Sequence, residues 1–296
     1  MKVQAVVASI AAARGVPLTP RTTRPLSGGT IHAAYHLSCD RGDYFVKYGR
    51  ADSLPMFEAE AAALRELAAA EALRVPRPIC CDASSSHAWL VCEYLPLTAT
   101  PRVPDVAAAW RSAGRGLAAL HRVRSAQFGW HRDNWIGSTP QPNGFSDDWV
   151  TFFRQQRLQF QLQLAAQHGF TGALQRKGER VLAEMELLFD DYQPLPSLLH
   201  GDLWRGNLAF VGVDGVIFDP ALYYGDRESD LAMSELFGGF ASAFYAGYRE
   251  AWPLDGGYAR RRPLYQLYHL LNHLNIFGGG YAADAEAAMD RLLAAI

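Results

Sequence analysis

Apolar residues recur along this chain in two rhythms. Val3, Val6, Val7 and Ile10 keep helical spacing and Arg14-Gly15 supplies a stop, which predicts a packed amphipathic helix over 3–13 rather than a short leader. Residues 22–48 then read as strands joined by turns: an extended run follows Leu26 and reaches Leu37, and Asp40-Arg41-Gly42-Asp43 turns the chain into Tyr44-Phe45-Val46-Lys47. Helical spacing returns from Pro55 to Ala70. Val75-Pro76-Arg77-Pro78 breaks it, and the run from Ala88 to Leu95 reads as a buried strand ending in a linker through Pro96, Pro101 and Pro104.

Beyond Val106 helices dominate. Trp110, Ala113, Leu117 and Leu120 share one face, and His121 closes that helix near its negative pole. Helices are predicted over 149–167, 172–189, 228–250, 260–276 and 283–295, with short strands at 208–211 and 216–218 around an Asp214-Gly215 hairpin tip. The segment 128–149 holds too many glycines, prolines and tryptophans for a plain connector, and loops of that composition commonly carry binding. Early strands followed by helices give an α+β chain with two lobes and a cleft between them.

Composition narrows the function classes. The chain has 296 residues, 49% of them hydrophobic and 20% charged, and a formal net charge of −2, so it lacks the basic surface that nucleic acid or an anionic membrane needs. No stretch reaches the ~18 apolar residues of a membrane span. Cys39, Cys80, Cys81 and Cys92 lack CxxC spacing and read as reduced, partly buried thiols of a cytoplasmic protein.

The chemistry concentrates in His200-Gly201-Asp202-Leu203-Trp204-Arg205-Gly206-Asn207 and, one short strand later, Val216-Ile217-Phe218-Asp219-Pro220. An Asp, an Asn five residues on and a second Asp at a strand end is the spacing of a kinase catalytic loop with its metal-binding partner. Asp202 would orient a hydroxyl, while Asn207 and Asp219 would hold Mg²⁺ through oxygen atoms. A turn plus a hairpin is the plainer reading of the same residues, but it leaves the spacing unexplained. Upstream, Gly28, Gly29 and Thr30 form a turn whose backbone N–H groups could approach phosphates, and Lys47 follows on an apolar strand where a kinase places the lysine that meets them. A glutamate on the next helix would hold Lys47 extended as an ion pair. Trp204 could stack on a sugar face or merely buttress the loop.

The string HGDLWRGN, the Asp-Pro after a strand, FGGF at 237–240, YQLYHLLNHLNIFG at 265–278 and the aromatic segment 128–149 resemble the fructosamine kinase (ketosamine-3-kinase) family. That family has a protein-kinase-like fold related to aminoglycoside phosphotransferases, and the resemblance covers nearly the whole chain. It implies a small antiparallel-sheet lobe over 1–95 that binds the nucleotide and a larger, mainly helical catalytic lobe over 96–296. It makes Glu60 the partner of Lys47 and leaves Glu58 on a solvated helix face. It also places Glu93, Tyr94 and Leu95 at the adenine and His273 near the sugar end. The implied activity is ATP- and Mg²⁺-dependent phosphorylation of the sugar 3-hydroxyl of a free or protein-bound ketoamine (ribulosamine, erythrulosamine or fructosamine), in a monomeric protein of deglycation repair.

Two other readings compete: a kinase for another small alcohol, such as an aminoglycoside or choline, and a nucleotide-binding protein without transfer activity. The second would normally lack Lys47, Asp202, Asn207 or Asp219, and all four are present. The chain departs from the animal pattern NHxNH, reading Asn272-His273-Leu274-Asn275-Ile276, which offers fewer polar groups to a sugar. Some relatives carry a bridging cysteine in the glycine-rich loop, where this chain has Gly28-Gly29-Thr30-Ile31, so no redox switch is expected.

Overall fold

The computed structural model describes residues 1–26 and 31–296. Gly28, Gly29 and Thr30 therefore lie outside the described residues. The expected α+β, two-lobed architecture is observed. Helix α1 (Val3–Arg14) ends where Gly15 takes φ 69° and returns its N–H to the last turn. It is followed by β1 (Pro20–Leu26), β2 (Ala33–Cys39), β3 (Gly42–Arg50), α2 (Leu54–Ala69), β4 (Pro78–Ala83) and β5 (His87–Glu93). The strands form one antiparallel sheet in the order β1-β2-β3-β5-β4. Both edge strands begin with proline, which costs no ladder bond there.

The two faces of β3 carry different functions. Tyr44, Val46 and Tyr48 are buried with Val6, Val7 and Ile10 of α1 in one apolar cluster, so the alternating Phe45 and Lys47 face the other way. On that side lies α2, which buries Phe57, Ala61, Leu64 and Leu67 in the main core and brings Glu60 to Lys47.

The second lobe starts with α3 (Val106–His121), whose N-cap Asp105 accepts from Ala108 N–H. Next come the hairpin β6 (Asn134–Ile136) and β7 (Thr139–Gln141), then α4 (Trp149–Phe153), α5 (Phe160–Gln167), α6 (Ala173–Glu184), β8 (Ser197–Leu199), β9 (Leu208–Val211), β10 (Asp214–Ile217) and β11 (Tyr223–Gly225). Four further helices close the chain: α7 (Glu228–Leu236), α8 (Ser242–Ala251), α9 (Tyr258–Phe277) and α10 (Ala282–Ala295). α3 and α8 cross closely because Gly114 and Gly247 face each other's backbone. An added Cβ would stand 2.0 Å from Phe244 O in the first case and 2.1 Å from Arg111 O in the second.

Three sequence expectations are corrected. The helix expected over 149–167 contains a π-helical segment, Arg154–Gln159, which turns the fully buried Arg157 so that its guanidinium lies 4.0 Å from the Tyr223 ring centroid and donates to Asn143 Oδ1 at 2.6 Å. The helix expected over 228–250 is two, α7 and α8, because Gly238 and Gly239 adopt φ 87° and 67° and cannot continue the first. The β9–β10 turn is Gly212-Val213, not Asp214-Gly215. Gly212 supplies the positive φ (64°), and Gly215 instead lies against α3, where a Cβ would meet the Ala113 methyl at 2.9 Å.

Candidate active site

The loop from β8 to β9 is held in shape by buried polar bonds. Asp202 N–H donates to His200 Nδ1 (3.2 Å), so His200 carries its proton on Nε2 and donates it to Phe218 O (2.9 Å). Burial lowers the His200 pKa and keeps the ring neutral, as this bonding pattern requires. From the first turn of α7, the Asp230 carboxylate accepts His200 N–H (2.7 Å) and Gly201 N–H (2.9 Å) and lies 3.2 Å from His121 Nε2. Burial alone would raise the Asp230 pKa, but these bonds outweigh it and hold the pKa below the usual carboxylate value. His121 is thus a fully buried link between Asp230 and Tyr248 Oη (2.9 Å), not the simple helix-end residue its position suggests.

Asp202 and Asn207 are brought together. Asn207 Nδ2 donates to Asp202 O (2.9 Å) and Asp202 Oδ2 (3.2 Å), and the loop is closed by Asn207 N–H to Trp204 O and Phe218 N–H to Asn207 O. Asp219 follows β10 at φ 56°, a strained backbone for a residue with a side chain. Its Oδ1 is 2.5 Å from Lys47 Nζ, which is also 2.8 Å from Glu60 Oε1. The adjacent elements β3 and α2 and the sequence-distant end of β10 therefore meet at one ammonium. Burial acts to lower the Lys47 pKa, but the charges of Asp219 and Glu60 outweigh it and raise the pKa, so the group stays protonated. Glu58 is exposed.

Desolvation, then the charges of Asp219 and Asp230, push the Asp202 pKa up to about 7, against the opposing Asn207 bond. A carboxylate of that proton affinity can accept a hydroxyl proton at neutral pH. Asp202, Asn207 and Asp219 line a cleft of about 730 Å³ together with Lys47, Cys92 and Leu95. Trp204 also lines it. Its side chain is 37% exposed, lies edge-on to Phe237 (centroids 6.3 Å) and packs over Gly206, where a Cβ would stand 2.4 Å from Cζ2.

At the strand end, Glu93 and Tyr94 spend much of their bonding capacity on the fold. Glu93 N–H donates to Arg77 O and its carboxylate accepts Arg77 N–H, while Tyr94 N–H donates to Asp43 O. Of the three expected adenine contacts, Leu95 is the one whose N–H has no partner among the described residues. His273 is not among the residues that line the cleft. It sits between Phe237, Phe277 and Tyr281, with Nδ1 2.8 Å from His269 O. One helical turn earlier, His269 brings Nδ1 within 4.0 Å of Asp202 Oδ1, a contact not anticipated from sequence.

The aromatic segment 128–149 braces the chain just after Asp219. Asn134 Nδ2 donates to Leu222 O, Gln141 Nε2 donates to Asn134 Oδ1 and Ala221 O, and Tyr268 Oη donates to Gln141 Oε1. Trp130 Nε1 reaches α2 at Glu66 Oε2 (2.7 Å), and Trp135 lines the cleft.

The surroundings of the cysteines disfavour the thiolate. Burial and neighbouring carboxylates push the Cys80 thiol up to about 11 and Cys81 to about 12, and Cys92 is raised as well. Activity is therefore expected to be the same after oxidant or reductant treatment, and non-reducing gels should show no linked dimer. Oxidant-dependent dimers would contradict this. Among the described residues no helix is long and apolar enough to cross a membrane.

Comparison with known proteins finds relatives along nearly the whole chain. The family model described as fructosamine kinase matches residues 2–295. A probable ketoamine kinase of Synechocystis is 44% identical over 292 residues, covering 98% of this chain and 96% of the relative. The chloroplastic protein-ribulosamine 3-kinase of Arabidopsis thaliana is 38% identical over 272 residues, covering 90% of this chain and 81% of the relative. A crystal structure of a candidate fructosamine-3-kinase from Haemophilus somnus superposes with a TM-score of 0.87 at 28% identity, covering 97% of this chain and 96% of that one.

Proposed function

Because the chain belongs to the fructosamine kinase family and is an ATP-dependent phosphotransferase of protein-kinase-like fold, we propose that it phosphorylates the sugar 3-hydroxyl of a ketoamine. Such a compound is the rearranged product of a sugar with a protein lysine or a free amine. The phosphorylated adduct is unstable and releases the amine, which would make the reaction a deglycation step. The observation that carries the phosphoryl transfer is the meeting, in one cleft, of the Lys47–Glu60–Asp219 cluster with the Asp202–Asn207 pair, and the family relatives support the ketoamine as acceptor.

In this reading the nucleotide-binding lobe is 1–95 and the catalytic lobe 96–296. Leu95 N–H and the carbonyls beside it meet the adenine. Glu60 holds Lys47 toward the α and β phosphates, and Gly28, Gly29 and Thr30 are the further residues expected to bind them. Asp219 offers a half-exposed carboxylate, and Asn207 has an Oδ1 not engaged by its Nδ2 bonds, which is a donor set suited to Mg²⁺ completed by phosphate and water. Bound magnesium would supply positive charge against the transferring phosphate. Asp202 accepts the hydrogen bond, and then the proton, of the acceptor hydroxyl.

Two features bear on the acceptor. Asn272 and Asn275 are each hydrogen-bonded to Gln161 and are not among the residues that line the cleft, so α9 offers a sugar even fewer polar groups than its sequence suggests. A four- or five-carbon ketoamine should therefore exceed the six-carbon one in kcat/KM. A clear preference for fructosamine would refute the size argument and leave the kinase reading standing. Trp204 supplies an aromatic wall. Trp204→Ala should raise KM for the ketoamine far more than for ATP, by a factor equivalent to about 1 kcal/mol or more, and Trp204→Phe should recover much of it. If Trp204 only braces the loop over Gly206, kcat falls instead for every acceptor. A screen of ADP release with erythrulosamine, ribulosamine, fructosamine, aminoglycosides and choline tests the function. Turnover confined to the last two would replace the ketoamine reading with that of a different small-alcohol kinase.

A further inference from the structure

Helix α9 carries a histidine that the chemistry above does not use. His269 is 3% exposed, and its Nδ1 is a buried nitrogen with no hydrogen-bond partner among the described residues. A buried, unpartnered donor of this kind is unfavourable unless something else takes it up. The nearest acidic atom is Asp202 Oδ1 at 4.0 Å. Asp202 Oδ2 already accepts from Asn207 Nδ2 (3.2 Å), while Oδ1 has no donor among the described residues. The imidazole cannot swing freely. It is buried, and the Tyr268 ring packs edge-on against it (centroids 5.1 Å, 68°). Burial drives the His269 pKa down to about 3, so the ring is neutral and holds a single N–H proton. A carboxylate facing Nδ1 favours the tautomer with the proton on that nitrogen.

The geometry points to His269 as a positioning residue for Asp202: its Nδ1–H engages Oδ1 when the carboxylate turns onto an acceptor hydroxyl. Asn207 and His269 then hold the two oxygens from opposite partners and fix the plane of the base. Closing the gap to hydrogen-bond length requires Oδ1 to move by about 1 Å, the displacement of a small side-chain rotation. Catalytic hydrogen bonds are commonly long without substrate and tighten when it binds. Because His269 is not among the residues that line the cleft and its unpartnered Nδ1 faces Asp202 Oδ1, it acts through Asp202 and not on the acceptor. The inference rests on the reading of Asp202 as the base in the proposed transfer.

Asparagine and glutamine separate the two ring nitrogens, since an Asn amide can occupy the place of Nδ1 and a Gln amide that of Nε2. With the preferred ketoamine, His269→Asn is expected to keep kcat within about threefold, while His269→Gln and His269→Leu lose on the order of 10- to 100-fold, the range for a hydrogen bond to a charged group. KM for ATP should be unchanged throughout, and the loss should not follow Tm. If His269 only fills space, Asn, the smallest replacement, should be the least stable and least active of the three, and that order overturns the inference. If the unaltered protein is inert toward ketoamines, the substrate reading fails by itself. The same four proteins are then compared in hydrolysis of ATP by water, which Asp202 orients in place of the alcohol. The same order of rates is expected there, and equal rates across the series overturn the role of His269.

Discussion

Asp219→Ala is expected to abolish phosphoryl transfer and to weaken Mg-ATP binding, whereas Asp202→Asn should leave nucleotide affinity nearly intact and slow turnover by on the order of 10²- to 10⁴-fold. The difference follows from where the two carboxylates sit. Asp219 projects half-exposed into the cleft against Lys47, where it can reach a cation. Asp202 lies deeper, is tied to Asn207, and is raised in proton affinity by burial and by the charges around it. Loss of Asp219 also removes one of two carboxylates compensating Lys47, so the ammonium keeps only Glu60. Calorimetric titration of Mg-ATP into both variants separates the roles. Equal loss of affinity in the two would refute them.

The second large effect is expected at a residue that touches no substrate. Gly201 has φ 83°, and a Cβ added there would stand 1.9 Å from Ala221 O. Gly201→Ala therefore combines a backbone conformation that costs an L residue about 1–3 kcal/mol with a clash that must push apart the loop and the segment after Asp219. Its N–H would be drawn away from Asp230 Oδ1, and Asp202, next in the chain, would move with it. Stability should fall by about 3–5 kcal/mol in denaturant titration. The fraction that still folds should lose at least about 10² in kcat, the cost of roughly 1 Å of misplacement. Near-normal kcat in a folded Gly201→Ala protein would show that the loop is not held as tightly as its hydrogen bonds suggest.

The sequence disclosed most where the candidate site is encoded locally. Asp202, Asn207 and Asp219 are separated by one loop and one hairpin, so their spacing is nearly a distance. Lys47 and Glu60 lie 13 residues apart on adjacent elements whose periodicity is plain. Elsewhere the rhythm was correct but the local chemistry won. Gly212 outcompeted Asp214-Gly215 for the turn, Gly238 and Gly239 ended α7, and Arg157, apparently a polar helix residue, took a buried place over Tyr223. Asp230 could not be found by spacing. It acts 30 residues from His200 only because the first turn of α7 lands beside the loop between β8 and β9, and an acidic residue in a first turn ordinarily signals nothing more than a favourable dipole. His269 was hidden for the same reason, while His273, one turn on, drew attention by its neighbours in sequence. The strands of the hairpin at 134–141 are three residues each, too short for alternation to register.

The most direct test of the central claim is the identity of the phosphorylated product. Incubated with Mg-ATP and ribulosamine, the unaltered protein should yield ADP and, by phosphorus NMR, one phosphate ester coupled to the proton on carbon 3 of the sugar. This signal should be absent with Asp202→Asn on the same time scale. Release of inorganic phosphate alone, or an ester formed only on an aminoglycoside or choline, would contradict the account.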